Sequence, residues 1–195
     1  MSNRILIVFA GIALLATQPV QADYADGVAA AQNGDYDTAF AEFSQAAEDG
    51  LMMAQFNLAI LYFSGRGVDQ DFQQAFRWTM AAADQGHVQA QFNVGALYYE
   101  GQGVDRDRRQ ALEWYLRAGN AENAPAQHNA AEMYYFGNGV DQDLVRAHAW
   151  ASRAVENGLE SSVDLLDDIE DDMSDAQLRE ARRLLARMKI GMDVQ

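Results

Sequence analysis

The 195-residue chain contains no cysteine and only two prolines, Pro19 and Pro125. Without cysteine it can form no disulfide bond or thiolate metal site, and it has no cysteine nucleophile and no cysteine to carry a lipid anchor. So few prolines leave long helices uninterrupted. Hydrophobic residues still make up 49% of the chain, which is ample for a packed core.

Positive charge is also scarce. The chain has 14 lysines and arginines against 29 aspartates and glutamates, a formal net charge of −15. Such a chain repels nucleic acid phosphates and anionic membrane surfaces, so we expect no nucleic acid partner.

The first 22 residues have the pattern of a cleavable signal peptide. A short positive start ending at Arg4 precedes an apolar run, Ile5 to Ala16, which is too short to span a bilayer. Val20 and Ala22 fit a signal peptidase site, so we expect cleavage after Ala22. A retained membrane anchor is the alternative. The sequence therefore predicts a periplasmic or secreted protein that does not insert into the membrane after cleavage.

Candidate catalytic and metal-binding residues are few. None of the three histidines lies in the His-Glu-x-x-His spacing of zinc proteases. His128 and Glu132 are four residues apart and could meet on one helix, but a pair without a third ligand is a poor metal site. The common acyl-transfer serine motifs are also absent. We therefore expect no catalytic residue, no metal and no cofactor.

An acidic run near the C-terminus admits two interpretations. Calcium prefers oxygen ligands, but the run lacks the glycine turn and fixed spacing of a calcium loop. The favoured interpretation is a solvated helix face opposite the arginines of the last helix. The acidic residues are Asp164, Asp167, Asp168, Glu170, Asp171, Asp172 and Asp175, and the arginines are Arg179, Arg182, Arg183 and Arg187.

An internal repeat of 36 residues dominates the rest of the chain. Alanine–glutamine, asparagine, tyrosine, Gly-x-Gly, Val-Asp-x-Asp, alanine and tryptophan recur in register. Their positions in the three copies are Ala54, Ala90 and Ala126; Asn57, Asn93 and Asn129; Tyr62, Tyr98 and Tyr134; Gly65, Gly101 and Gly137; Val68, Val104 and Val140; Ala75, Ala111 and Ala147; and Trp78, Trp114 and Trp150.

Each copy predicts two helices. In the first copy one helix runs from about Ala54 to Ser64, and the Gly-x-Gly pair ends it because glycine adopts the left-handed conformation of a helix stop. Asp71 is the expected N-cap of the second helix, which runs to about Gln85 and stops at Gly86. Small alanines allow the helices to approach closely, and the tryptophans fill the space between repeats.

These residues resemble the Sel1-like repeat, a branch of the tetratricopeptide superfamily, over three copies. The resemblance implies an all-α, right-handed α-solenoid of antiparallel helix pairs with a C-terminal capping helix pair. The predicted segments are a signal peptide (1–22), a tetratricopeptide-like helix pair (23–52), three Sel1-like repeats (53–160) and a degenerate capping pair (161–191). Ser174 and Gln177 have the spacing of a capping box at the last helix.

One position departs from the repeat. Glu122 stands where Gly50, Gly86 and Gly158 predict glycine. We therefore expect the turn at 119–123 to be reshaped and the junction between the last two full repeats to bend differently.

Similarity to tetratricopeptide domains implies that the first helices line a concave face. Four ladders of side chains are expected there to bind a partner segment, with an apolar early part and a more polar late part. An alternative is that the asparagines bond within the stack and the aromatics are partly core. The predicted partner-binding residues are Phe56, Asn57, Ile60, Phe63, Phe92, Asn93, Tyr99, His128, Asn129, Glu132 and Tyr135.

The sequence therefore favours an exported, non-enzymatic adaptor that binds a protein or peptide partner of unknown identity. Two alternatives stay open. Cysteine-rich secreted relatives are described as β-lactam binders or hydrolases, although this chain lacks their cysteines. Other exported relatives serve as scaffolds in envelope polysaccharide assembly.

Overall fold

A computed structural model describes residues 18–191, with side chains from residue 23 onward; most of the predicted signal peptide lies outside these residues. Within this range the chain is all-helical, which confirms the predicted fold class. The helices are α1 (Gln18–Gln32), α2 (Tyr36–Glu48), α3 (Met52–Ser64), α4 (Phe72–Asp84), α5 (Val88–Glu100), α6 (Arg108–Asn120), α7 (Ala124–Phe136), α8 (Leu144–Glu156), α9 (Ser162–Asp171) and α10 (Asp175–Lys189).

Helices pair in chain order to build the solenoid. The helices α3 and α4, α5 and α6, and α7 and α8 pack as pairs, and α1 and α2 pair in the same way. Each second helix then packs against the first helix of the next pair. Every helix from α3 to α8 has 13 residues, so the 36-residue sequence period becomes a constant structural unit.

The helix ends follow the predicted local signals. The Asp71 carboxylate accepts bonds from the backbone N–H groups of Gln73 and Gln74, at 2.9 and 3.0 Å, and so caps α4. Gly65 ends α3 with φ of 66°, in the left-handed region that glycine enters without steric cost. Ser174 and Gln177 form the predicted capping box at α10.

The second glycine of each loop has a different role, which lies between repeats. A side chain on Gly67 would overlap the carbonyl of Tyr36, at the start of α2. A side chain on Gly103 would overlap the carbonyl of Phe72, at the start of α4, in the same way. The loop backbone therefore packs directly on the preceding repeat, and only glycine fits there.

The turn at Glu122 keeps the geometry of its glycine counterparts, so the expected reshaping is wrong. Glu122 has φ of 64°, and its N–H donates to the carbonyl of Gly119. The equivalent bond at Gly86 goes to the carbonyl of Ala83. Packing of α6 and α7 therefore holds a glutamate in a left-handed conformation that costs about 1 kcal/mol or more for a residue with a side chain.

Repeated glutamines join each repeat to the one before it. The side-chain amide of Gln55 donates to the carbonyl of Ala47 at 3.2 Å. Gln91 and Gln127 donate to the carbonyls of Ala83 and Gly119, at 3.2 and 2.8 Å. Each bond gives a second donor to a carbonyl near the end of the preceding second helix, which also accepts a backbone N–H of the turn that follows.

The core lies between the first and second helices and consists largely of alanine. Fully buried alanines allow close helix approach, as the sequence predicts, and Trp114 and Trp150 fill the remaining space with only 6% and 7% of their surface exposed. Replacing such a buried tryptophan by alanine typically costs about 3–5 kcal/mol. The alanines with no exposed surface include Ala39, Ala46, Ala54, Ala82, Ala90, Ala111, Ala118, Ala126 and Ala147.

The last two helices close the array but do not repeat the geometry of a full pair. Helix α9 packs against α8, as a first helix does. Helix α10 packs mainly against α8 as well, rather than against α9. Ile169 of α9 and Ala181 of α10 have no exposed surface and anchor the two helices.

Candidate functional site in the first-helix groove

The first helices α1, α3, α5 and α7 line a groove with three hollows, each between successive first helices. The hollow between α1 and α3 has a volume of about 310 Å³. It is lined by Val28, Ala31, Gln32, Tyr36, Phe43, Asn57, Ile60, Leu61 and Arg66.

The hollow between α3 and α5 is mostly apolar, and we call it the apolar hollow. Its volume is about 260 Å³. Ile60 and Phe63 reach into solvent at its mouth, with 44% and 43% of their surface exposed. The hydroxyl of Thr79 donates to the carbonyl of Ala75 in its own helix, so it needs no further partner. The lining residues are Phe56, Ala59, Ile60, Phe63, Ser64, Thr79, Asn93, Ala96, Leu97 and Gln102.

The hollow between α5 and α7 is polar, and we call it the acidic hollow. Its volume is about 490 Å³. Burial raises the pKa of Tyr115 to about 12; a hydrogen bond with Asn129 opposes this rise, and the charges of Glu100 and Glu132 add to it. The lining residues are Ala96, Tyr99, Glu100, Tyr115, Asn129, Glu132, Met133, Phe136 and Asn138.

Apart from Phe136, the acidic hollow repeats positions of the apolar hollow 36 residues later. Phe63 becomes Tyr99, and Thr79 becomes Tyr115. The larger Tyr115 needs room, which Gly95 supplies: a Cβ on Gly95 would lie 2.7 Å from the Tyr115 ring. In the apolar hollow the same two positions hold Ala59 and Thr79.

Eight of the eleven predicted partner-binding residues line a hollow. Phe56, Ile60, Phe63 and Asn93 line the apolar hollow, Tyr99, Asn129 and Glu132 line the acidic hollow, and Asn57 lines the hollow between α1 and α3, which also includes Ile60.

The other three predicted residues line none of these hollows. Phe92 packs against the core, with its ring centroid 5.7 Å from that of Tyr115. His128 shares a 2.8 Å hydrogen bond with Ser162, and Tyr135 donates to Asp172 at 2.8 Å. The bonds of His128 and Tyr135 hold α9 against α7.

The three asparagines at the repeated position also differ in their contacts. The amide of Asn57 donates to the hydroxyl of Tyr24 at 3.3 Å, which ties α3 to α1. Asn129 bonds to Tyr115. Asn93 instead accepts a bond from Gln89, one turn earlier in its own helix, at 3.1 Å. Among the described contacts, Asn93 is therefore the asparagine of this ladder with the fewest bonds to other helices.

Comparison with protein families identifies the repeat. The Sel1 repeat family model matches residues 53–87, 88–123 and 124–159. The chain belongs to the Sel1 repeat family. No curated protein matches the sequence significantly.

Solved structures with the Sel1 fold include two useful comparisons. A Sel1 repeat protein from Oxalobacter formigenes is 26% identical with a TM-score of 0.69, over 73% of this chain and 59% of that protein. The protective antigen c5321 of uropathogenic Escherichia coli, which displays an SLR fold, is 26% identical with a TM-score of 0.52. That match covers 87% of this chain and 45% of the antigen. The chain thus spans about half the length of these proteins.

Three residues at the end of the Sel1 array have the side-chain types of a hydrolase triad. His148 Nε2 lies 2.8 Å from a carboxylate oxygen of Glu170, and its Nδ1 lies 3.4 Å from the hydroxyl of Ser152. Ser152 and His148 are both buried, and none of the three hollows reaches them. The geometry supports a polar link between α8 and α9 rather than a site open to substrate.

The arginines of α10 do not face the acidic run of α9, which corrects the sequence-based interpretation. Arg179, Arg183 and Arg187 line instead a groove between α8 and α10 of about 960 Å³, and Arg182 is not among its lining residues. Among the described residues no ion pair joins α9 to α10. The arginines that line this groove are Arg146, Arg179, Arg183 and Arg187.

Two further observations concern membranes and metals. Within the described residues, no helix is both long and apolar enough to cross a membrane. In the same part of the chain, no three histidine, aspartate or glutamate side chains come together as metal ligands.

Proposed function

We propose that this Sel1 repeat protein is an exported adaptor that holds a segment of a partner protein in its first-helix groove. Sel1 repeats generally mediate protein–protein interactions. The observation that carries the proposal is the series of three hollows along one face. Such a series suits an extended segment, which can place successive side chains into successive pockets.

Exposed apolar side chains in the groove support the same proposal. Ile60 and Phe63 are each about two-fifths exposed, although apolar residues of this size are usually buried. Ile60 lines both the hollow between α1 and α3 and the apolar hollow. A bound segment would cover these side chains and remove their apolar surface from water.

Export rests on the predicted signal peptide. Cleavage after Ala22 would fall within α1 and leave Asp23–Gln32 of that helix. The retained residues Tyr24 and Val28 pack against the buried core that includes Phe43 and Ala46 of α2, so the shortened helix keeps its contacts with α2. N-terminal sequencing of the protein from a periplasmic or culture fraction tests this; a mature chain that still begins at Met1 would contradict export by cleavage.

Crosslinking in cells tests the groove. The protein is captured as wild type, as an Ile60→Ser and Phe63→Ser double variant, and as a Val163→Ser control. Val163 is 41% exposed on α9 and lines none of the hollows, so the control removes exposed apolar surface away from the groove. We expect a specific partner with the wild type and the control but not with the double variant, while circular dichroism shows equal helicity.

Two results would contradict this expectation. Capture of the same partner by all three proteins would place binding outside the first-helix groove. Absence of any specific partner with the wild type would overturn the adaptor proposal itself.

A further inference from the structure

The acidic hollow carries two carboxylates inside aromatic walls. Glu100 and Glu132 line it together with Tyr99, Tyr115 and Phe136. No lysine or arginine is among its lining residues. A cation placed there would meet two negative charges and the electron-rich faces of aromatic rings.

Both carboxylates affect the same residue of this hollow, Tyr115. The charges of Glu100 and Glu132 each raise the pKa of the Tyr115 phenol, which lies on its floor. Glu132 also lies 3.8 Å from His128 Nε2, a long contact that becomes an ion pair only when the histidine is protonated. The two carboxylates therefore have no lysine or arginine partner among the residues that line the hollow.

Two arginines that contact residues of the hollow make other interactions. Arg106 donates to the backbone carbonyl of Glu100 at 3.3 Å, and the guanidinium of Arg108 lies 5.5 Å from the centre of the Tyr99 ring. Among the described ion pairs, neither arginine contacts the carboxylate of Glu100 or Glu132. The carboxylates are thus left to an external cation.

The acidic hollow adjoins the apolar hollow. Ala96 lines both, so a single small side chain separates them. A segment that lies across α5 can therefore fill both hollows with two nearby side chains.

We propose that the acidic hollow receives a lysine or arginine side chain of the partner segment, while a nearby apolar side chain of that segment fills the apolar hollow. The proposal rests on the proposed function, because it names the chemistry of the segment that the groove holds. The positive charge sits between Glu100 and Glu132, and its alkyl stem lies along the aromatic walls.

A displayed library of random 12-residue peptides tests both levels of the proposal. The library is selected on the full protein, and the enriched peptides are synthesised with a fluorescent label. Affinities are then measured for the wild type, for Glu100→Gln with Glu132→Gln, and for Ile60→Ser with Phe63→Ser. Glu113→Gln, which alters an exposed carboxylate on α6 that lines no described hollow, is the control.

The expected result has three parts. The enriched peptides share a basic residue close to an apolar one, and they bind both groove variants more weakly than the wild type. The glutamine double variant weakens binding about five- to tenfold, as two partly exposed charge contacts and a cation–π contact allow, and Glu113→Gln leaves it unchanged. Replacing the basic residue of a peptide by norleucine abolishes the difference between the wild type and the glutamine variant.

The contrary outcomes separate the two levels. Peptides that need Ile60 and Phe63 but carry no basic residue, or bind the glutamine variant equally well, overturn the cation site and leave the adaptor function standing. Peptides insensitive to both groove variants, or no enrichment at all, overturn the groove as a peptide site and the cation site with it.

Discussion

The apolar and acidic hollows share one backbone frame but differ in what they can bind. Each lies between successive first helices, and most of their lining positions correspond after 36 residues. The first presents Phe63 and Thr79, and the second presents Tyr99 and Tyr115 at the same positions. The repeat thus decides where a side chain lies, while the residue at that position decides the chemistry of the pocket.

The two hollows also show that a change at one position requires a change at another. Ala59 faces a position occupied by the small Thr79, whereas Gly95 makes room for the ring of Tyr115. A local exchange of volume therefore allows a buried phenol to enter one hollow without a shift of the helices.

The largest expected effect comes from disrupting the packing between repeats. Gly103→Ala places a side chain against the carbonyl of Phe72 at a φ of 71°, so the repeat that supplies one wall of the apolar hollow must move. We expect a loss of about 3 kcal/mol or more in the free energy of unfolding. Urea unfolding followed by circular dichroism measures it.

Gly86→Ala is the matched control for this change. Gly86 also has a positive φ, of 93°, but nothing lies within 4 Å of the added Cβ. We expect it to cost about 1 kcal/mol. Equal losses for the two variants would show that backbone strain, rather than contact between repeats, explains the second glycine.

The next effect converts one hollow toward the other. Gly95→Ala should cost about 1–3 kcal/mol, because the new methyl group lies too close to the Tyr115 ring. Combining it with Tyr115→Thr reproduces the Ala59 and Thr79 arrangement. The double variant should lose at least about 1 kcal/mol less than the sum of the single losses. Additive losses in urea unfolding would contradict the proposed compensation.

A smaller effect concerns the turns behind the two hollows. Glu122→Gly should stabilise the protein by about 1 kcal/mol, since glycine adopts a positive φ such as the 64° of Glu122 without strain, as Gly86 does at the equivalent position with a φ of 93°. Glu122→Ala removes the same charge, which acts on Arg153, but keeps the strain, so it should bring no such gain. Equal stabilisation by both variants in thermal unfolding would assign the effect to charge.

The smallest expected effect is a pH dependence of stability that comes from the helix cap next to the apolar hollow. The Nδ1 atom of His87 accepts a bond from the N–H of Ala90 at 3.1 Å and caps α5, and its ring stacks on Phe56 of the apolar hollow. At the equivalent cap of α7, Asn123 accepts from Ala126 at 2.9 Å. Burial holds the pKa of His87 below its usual value, so the neutral ring is the form that folding favours.

The direction of the pH effect follows from this shift. The contribution of His87 to stability is present above about pH 6.5 and is lost as the pH falls through the lowered pKa of the folded state. His87→Asn, which copies the cap of α7, should remove this dependence and keep the helix. Unfolding curves between pH 5 and 8 measure it, and an unchanged pH profile in the variant would contradict it.

Local signals account for what the sequence predicts well. The Asp71 cap, the helix stop at Gly65 and the Ser174 capping box each depend on residues within a few positions of one another. Sequence reasoning missed Tyr115 because it reaches the acidic hollow from a second helix, through space that Gly95 leaves. Its only signal was a glycine at the small-residue position of the repeat.

The wrong expectations share a tertiary cause. Glu122 has poor local preference for its turn, but the packing of two helices overrides that preference. The sequence predicts that the arginines of α10 face the acidic run of α9, whereas α10 packs mainly on α8. Apart from these two cases, Phe92, His128 and Tyr135 make the contacts within the stack described above, and their role in partner binding stays a prediction.

The glycine contact between repeats also constrains how such a protein can evolve. Because the loop of one unit rests on the backbone of the unit before it, a few added or lost residues would break the phase of the array, whereas a whole unit can be duplicated, deleted or exchanged. Each such event adds, removes or replaces one complete pocket. The series of pockets along the groove can thus change one repeat at a time.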